Sequence, residues 1–335
     1  MQREFSFRGL TKPDMKMIDF PLNAEGNTYL HELCCKGAPA SLVREAVLSL
    51  GAKVQLLNKK DLPPLGLAIL DGNLEAIQCL IDLGAELYFP VGDKQFFNAT
   101  FSAVSSGRED VVALILKNGG GLHVNSPGNG LSCLALAIKR GDYRLIEPLV
   151  AAGAFVDRES GENNLTPLHI AAMGRSEAVE RLLKLGAKIE KRQPSSGMTA
   201  LHYAVSDRNY RAVECLLKLG ANPNALTAEG LSPLMLSVSG DITFLLLAAK
   251  ADVNYRRAAG TKETALHLAA AKGESDIVAA LLKGGADPLL TNAFNQTAAR
   301  QARESGNLHI AARLEEAERR AEQEIFEKAY NKFRR

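Results

Sequence analysis

Thr166-Pro-Leu-His-Ile-Ala-Ala172 is the stretch on which the fold turns. A threonine ahead of an apolar run caps the free N–H groups of a starting helix. Proline is tolerated just inside that start. Leucine and the alanine pair then offer a small apolar face, against which another helix packs closely. The same order returns at Thr199-Ala-Leu-His-Tyr-Ala-Val205, Thr264-Ala-Leu-His-Leu-Ala-Ala270 and Thr28-Tyr-Leu-His31. Weaker copies fill the intervals: Pro63-Pro-Leu-Gly-Leu-Ala68, Asn98-Ala-Thr-Phe-Ser-Ala103, Ser132-Cys-Leu-Ala-Leu-Ala137, Ser232-Pro-Leu-Met-Leu-Ser237 and Thr297-Ala-Ala-Arg-Gln-Ala302. The leucine slot falls at positions 30, 65, 100, 134, 168, 201, 234, 266 and 299. The spacing stays between 32 and 35 residues throughout, which marks an internal repeat and not a set of unrelated domains.

Working outward from that slot, each copy reads as one unit. A first helix is followed by a turn, often with glycine, as at Gly72, Gly107, Gly141, Gly273 and Gly306. A second helix carries paired leucines, as at Leu182-Leu183, Leu216-Leu217 and Leu281-Leu282. It stops at glycine, as at Gly51, Gly84, Gly153, Gly186, Gly220 and Gly285, where a left-handed residue past a helix end is expected. An extended finger leads to the next copy. The unit near Gly230 leaves little room for its inter-helix turn at Val238-Ser-Gly-Asp-Ile242, and Phe96-Phe97 stand in the third finger where glycine and a polar residue are usual.

The Thr-Pro-Leu-His-x-Ala-Ala pattern resembles the ankyrin signature. The resemblance implies an all-α ankyrin-repeat solenoid of about nine helix-turn-helix units with extended fingers, followed by a C-terminal helix. One unit cannot bury its own apolar face, so stacking supplies the stability. The expected organisation is a leader or cap over residues 1–22, the repeat array over 23–314 and a charged helix over 315–335. In the leader, Phe5, Phe7, Met15, Met17, Ile18 and Phe20 are candidates to cover the first unit. In the tail, Ile310, Leu314, Ala317, Ala321 and Ile325 recur at helical spacing. The family's fold also implies that His31, His169, His202 and His267, in the fourth slot of the signature, tie fingers to neighbours.

Catalytic chemistry finds few candidates among these residues. The five cysteines, Cys34, Cys35, Cys79, Cys133 and Cys215, show no CxxC or metal-type spacing. His31-Glu-Leu-Cys-Cys35 lacks the second histidine of a zinc helix, and no phosphate loop or nucleophile elbow occurs. A non-enzyme without cofactor or metal is therefore expected. A thiol-dependent enzyme using Cys34 or Cys35 with His31 is one alternative. A net charge of +2 argues against nucleic acid as the main partner, leaving a binder that uses basic fingers as the other alternative. No apolar run is long enough for a membrane span or signal peptide, which with the odd cysteine count suggests a reducing, cytoplasmic setting.

In ankyrin proteins partners bind the concave face of fingers and first helices, so the resemblance implies a protein-binding scaffold or adaptor. The slot before the signature holds an apolar residue in six successive units: Leu62, Phe97, Leu131, Leu165, Met198 and Leu231. These form a candidate stripe for a partner peptide or helix, or else pack onto neighbouring fingers. Basic residues gather in later fingers at Lys191, Arg192, Arg256, Arg257 and Lys262, a candidate surface for an acidic partner segment. The chain is expected to act as a monomer. Its divergent units and Glu-Glu-x-x-Arg-Arg tail resemble bacterial type IV secretion effectors, which implies a host protein as partner and the host cytosol as destination.

Overall fold

The computed structural model describes residues 15–91, 95–126, 130–258 and 260–334. The chain divides between Glu162 and Asn163 into two compact units. The first unit contains helices α1 (Tyr29–Cys35), α2 (Ala40–Leu48), α3 (Pro64–Asp71), α4 (Leu74–Asp82), α5 (Ala99–Ser106), α6 (Glu109–Lys117), α7 (Cys133–Arg140) and α8 (Ile146–Ala151). Strands β1 (Tyr88–Val91) and β2 (Gln95–Asn98) precede α5. The second unit contains α9 (Pro167–Ala172), α10 (Ser176–Lys184), α11 (Ala200–Ser206), α12 (Tyr210–Lys218), α13 (Gly240–Ala248), α14 (Ala265–Lys272), α15 (Ser275–Lys283), α16 (Ala298–Glu304) and α17 (Leu308–Phe333). First helices pack on first helices and second on second in each unit, as α1 on α3 and α2 on α4.

The cores are small and aliphatic, as the composition suggests. Leu30, Leu65, Ile77 and Leu80 are fully buried in the first unit, and Val179, Leu182, Leu216 and Leu281 in the second. The short repeat near Gly230 has the expected lesion: its first helix shrinks to a 3-10 turn, Pro233–Leu236, before α13 begins at Gly240. In the leader, Ile18 is buried and Asp19 accepts the Lys53 N–H at 3.0 Å, while Met17 and Phe20 are half exposed. Phe5 and Phe7 lie outside the described residues, as does the side chain of Met15.

The fingers are fixed by hydrogen bonds that the signature dictates. In each of four units the threonine N–H donates to the histidine Nδ1, at 3.2 Å for Thr28–His31 and 3.1 Å for Thr199–His202. An accepting Nδ1 leaves the proton on Nε2. That nitrogen then donates to a carbonyl of the following finger: His31 to Leu62 at 3.1 Å, His169 to Lys191 at 3.0 Å, His202 to Leu231 at 3.3 Å and His267 to Gln296 at 3.0 Å. In these four repeats the histidine is thus a staple that fastens the repeat to the following finger. Finger tips add main-chain links, as Lys59 N–H to Glu25 O (2.9 Å) and Ala228 N–H to Ser196 O (2.8 Å).

One finger departs from the all-α expectation. β1 and β2 pair antiparallel with Phe89 opposite Phe97 and Pro90 opposite Phe96. Gly66 occupies the signature's histidine position, so this unit has no imidazole to staple the next finger. A Cβ on Gly66 would sit 3.1 Å from Cε2 of Phe97. The Phe97 ring therefore abuts the position whose side chain is missing.

Candidate functional site

Alternation along β2 sends its two phenylalanines to opposite faces. Phe97 turns inward, is only 5% exposed, and packs on Phe89 with ring centroids 5.3 Å apart. Phe96 turns outward and is half exposed. Its ring stacks on Tyr88 at 5.1 Å, and Tyr88 in turn stacks on His123 at 4.5 Å. Three parallel rings thus line the finger.

Beside this stack runs a groove of about 670 Å³ between finger and first helices. Its floor is Gly66 and Leu70 of α3 with Phe101, Ser102 and Ser105 of α5. Leu62 and Phe96 form apolar parts of its wall, and Lys60, Asp61 and Gln95 supply polar ones. Leu70 is half exposed although it sits on a helix whose other apolar residues are largely buried. An exposed leucine and phenylalanine in one concavity with a polar rim is the usual composition of a recognition site. A second groove, of about 590 Å³, lies on the second helices α2, α4 and α6 beside Arg44, Cys79 and Leu114. It is shallower and lacks exposed aromatic side chains among its lining residues, so the finger groove is the stronger candidate.

The six residues of the apolar stripe differ in exposure. Phe97 packs mainly inward, on Phe89 and against Gly66, and its small exposed part lines the groove. Leu62, Leu131, Leu165, Met198 and Leu231 are each half-buried. Leu131 also touches the neighbouring finger tip, with its Cδ2 3.4 Å from the place a Cβ would take on Gly161. Leu62 and Leu231 offer their carbonyls to His31 and His202, so their backbones are fixed while part of each side chain remains at the surface. Phe96, Leu70, Tyr88 and His123 were not singled out by the sequence reading of the stripe. A signal for the hairpin was present: Tyr88-Phe-Pro-Val91 and Gln95-Phe-Phe97 flank Gly92-Asp93-Lys94, an apolar-turn-apolar pattern.

The basic residues of the second unit also have work within the fold. Arg192 donates to the carbonyls of Gly197 and Leu226. Arg256 donates to Thr291 O at 2.6 Å, and Arg257 donates to Glu229 O at 2.7 Å. Each guanidinium bridges to an adjoining finger. Arg192 and Arg256 nevertheless remain exposed, as does Lys262; Arg257 and Lys191 are half-buried.

The Cys34–His31 pair suggested by their spacing is not assembled. Both His31 nitrogens are engaged, with Thr28 and with Leu62 O. Cys34 is fully buried, and burial pushes its thiol far above the ordinary range. Cys35 is exposed at the surface, yet partial desolvation, followed by the Glu32 and Asp71 carboxylates, raises its thiol too. A nucleophilic cysteine needs the opposite, a neighbour that stabilises thiolate. Among the described residues no group of three or more His, Cys, Asp or Glu side chains is arranged to hold a metal ion. Among them, too, no helix is long and apolar enough to cross a membrane.

The family model of ankyrin repeats matches residues 100–193, 134–227, 191–257 and 234–323, which together span two thirds of the chain. No curated protein matches the sequence. Among solved structures, the human ASB11 ankyrin repeat domain is similar, with 26% sequence identity and a TM-score of 0.53. The similarity covers 67% of this chain and 98% of that one.

Proposed function

Because this chain belongs to the ankyrin-repeat family, whose repeats are generally protein–protein interaction modules, we propose that it binds a partner protein on the face shared by fingers and first helices. The observation that carries this reading is the groove between the β1–β2 finger and α3–α5, with Leu70 and Phe96 exposed inside it. The occupant is an apolar side-chain row on a peptide or helix, which displaces water from both residues. The half-buried slot residues Leu62, Leu131, Leu165, Met198 and Leu231 extend the apolar contact within their own units. The reading requires no catalysis and no cofactor. Affinity capture with the wild-type chain and a Leu70→Asp variant tests it. A bound protein retained by the wild type and lost from the variant, with unchanged melting of the chain, is the expected result. Equal retention by both would remove the groove from the function.

Lys191, Arg192, Arg256, Arg257 and Lys262 form a positive surface in the second unit, suited to an acidic partner segment. Rim charges act chiefly through steering. An Arg256→Glu/Arg257→Glu variant is expected to associate more slowly with the captured partner, with the deficit shrinking as salt is raised. Stopped-flow association rates at two ionic strengths check this. A melting curve must accompany them, because Arg257 also pairs with Glu229 at 3.8 Å. An effector role, with the partner a host protein, rests on the likeness of the tail to secretion signals. A translocation reporter fused to residues 295–335 tests that role separately.

A further inference from the structure

Among the described residues the outer half of α17 packs on no other element, and its sequence is suited to a second copy of itself. The helix starts as the second helix of the last repeat, with Ile310, Ala311 and Leu314 buried. Glu318 is still half-buried. From Glu322 to Asn331 every residue is exposed. That stretch nevertheless carries Ile325, Phe326 and Tyr330, all more than half exposed, with the two rings stacked at 6.4 Å. Ala321, Ile325 and Ala329 recur every fourth residue, which puts them in one stripe beside the rings.

Charge along the helix is segregated. Residues 314–327 contain six glutamates and two arginines, whereas 328–335 contain four bases and no acid. We propose that two copies of the chain associate through the outer half of α17, laid antiparallel and centred on Ile325.

In that register Ile325 meets its own counterpart, and Ala321 lies opposite Ala329. Small residues at both flanking positions let the helices approach closely. Glu322 falls opposite Lys328, and Glu316 opposite Arg334. Nowhere along 316–334 do two like charges oppose one another in the sequence. A parallel pair would instead set Glu322 against Glu322 and Lys328 against Lys328, which is repulsive at each end. The internal pairs Lys328–Glu324 at 3.6 Å and Arg320–Glu316 are solvent-exposed contacts one turn apart, and such pairs are weak enough to be exchanged. About 19 residues at 1.5 Å rise give an overlap of roughly 28 Å. A contact of that size falls at the small end of specific interfaces, so a reversible dimer is expected and not an obligate one. This departs from the monomer suggested by the sequence.

Sedimentation of the full chain over a concentration series at low salt tests the proposal. The expected result is a rise from 36.0 kDa toward twice that mass, diminished by added salt. Ile325→Glu should hold the chain at monomer mass. Glu322→Lys and Lys328→Glu, each alone, should weaken the dimer by about tenfold, since each sets like charges opposite one another twice in the symmetric pair. The double variant restores opposite charges and should restore the dimer. Circular-dichroism melts of all four variants are expected to match wild type, because the altered residues are exposed. A chain that stays monomeric at the highest concentration in low salt overturns the proposal. So does an Ile325→Glu variant that still dimerises, or a double swap no better than its singles.

Discussion

Acidification should weaken this fold through its histidine staples, and His202 should contribute most of the effect. Burial lowers the His202 imidazole from 6.5 to about 4; the Leu231 and Ala225 carbonyls oppose the shift and Arg192 adds slightly to it. Because the folded value is depressed, the unfolded chain takes up the proton first. The stabilisation is complete above pH 6.5, declines below it, and is exhausted near pH 4. A shift of this size corresponds to roughly 3 kcal/mol, a large share of ordinary domain stability. His31 and His267 are lowered too, with burial again the leading cause, and add in the same direction. Glu274 and Glu318 act oppositely: burial raises both, so their contribution is present at low pH and lost as pH rises. Denaturant titrations at several pH values between 7 and 4 check the balance. His202→Gln keeps a side-chain donor for Leu231 O but cannot take up a proton in this range. Its stability should be lower at neutral pH and fall less steeply on acidification. An identical slope in wild type and variant would refute the staple's role in pH sensitivity.

How much of this was legible depends on where the information sits. The Thr-x-Leu-His slots carry helix start, core leucine and staple in four consecutive residues, so a local pattern suffices to place them. Gly51, Gly84 and Gly153 mark helix ends by the same local logic, and all three have positive φ. The candidate site is different. Phe97 packs against Gly66, 31 residues earlier, and neither residue alone announces the relation. The slot rule that placed Phe97 beside Leu62 and Leu131 assumed identical fingers, and among the described residues this finger is the one that pairs into strands. The arginines show a related limit. A run of basic residues looks like a solvated or partner-facing surface, whereas guanidinium groups long enough to reach an adjoining finger find carbonyls there.

Phe96 and Phe97 should consequently give opposite results on substitution, although they are neighbours in sequence. Phe97→Ala removes a buried ring that packs on Phe89 and abuts Gly66. Truncating a buried phenylalanine costs about 3–5 kcal/mol, and the glycine beneath offers no side chain to relax into the space. The melting temperature should drop sharply, or the melt should split, since stacked repeats couple only to their neighbours and a weakened one can open before the rest. Phe96→Asp removes a half-exposed ring whose stacking on Tyr88 is its main contact. Losing one aromatic pair is worth about 0.5–1.5 kcal/mol, so stability should change little. Partner binding should show the reverse order. A charged group placed in the groove beside Leu70 should reduce affinity by about a hundredfold, on the scale of a central interface residue. The folded fraction of Phe97→Ala should bind nearly as well as wild type below its transition. Calorimetric melts and titrations of the captured partner, made on both variants, measure the two effects side by side. If Phe96→Asp binds normally while Phe97→Ala alone loses the partner, the groove is an accident of packing and recognition lies on another face.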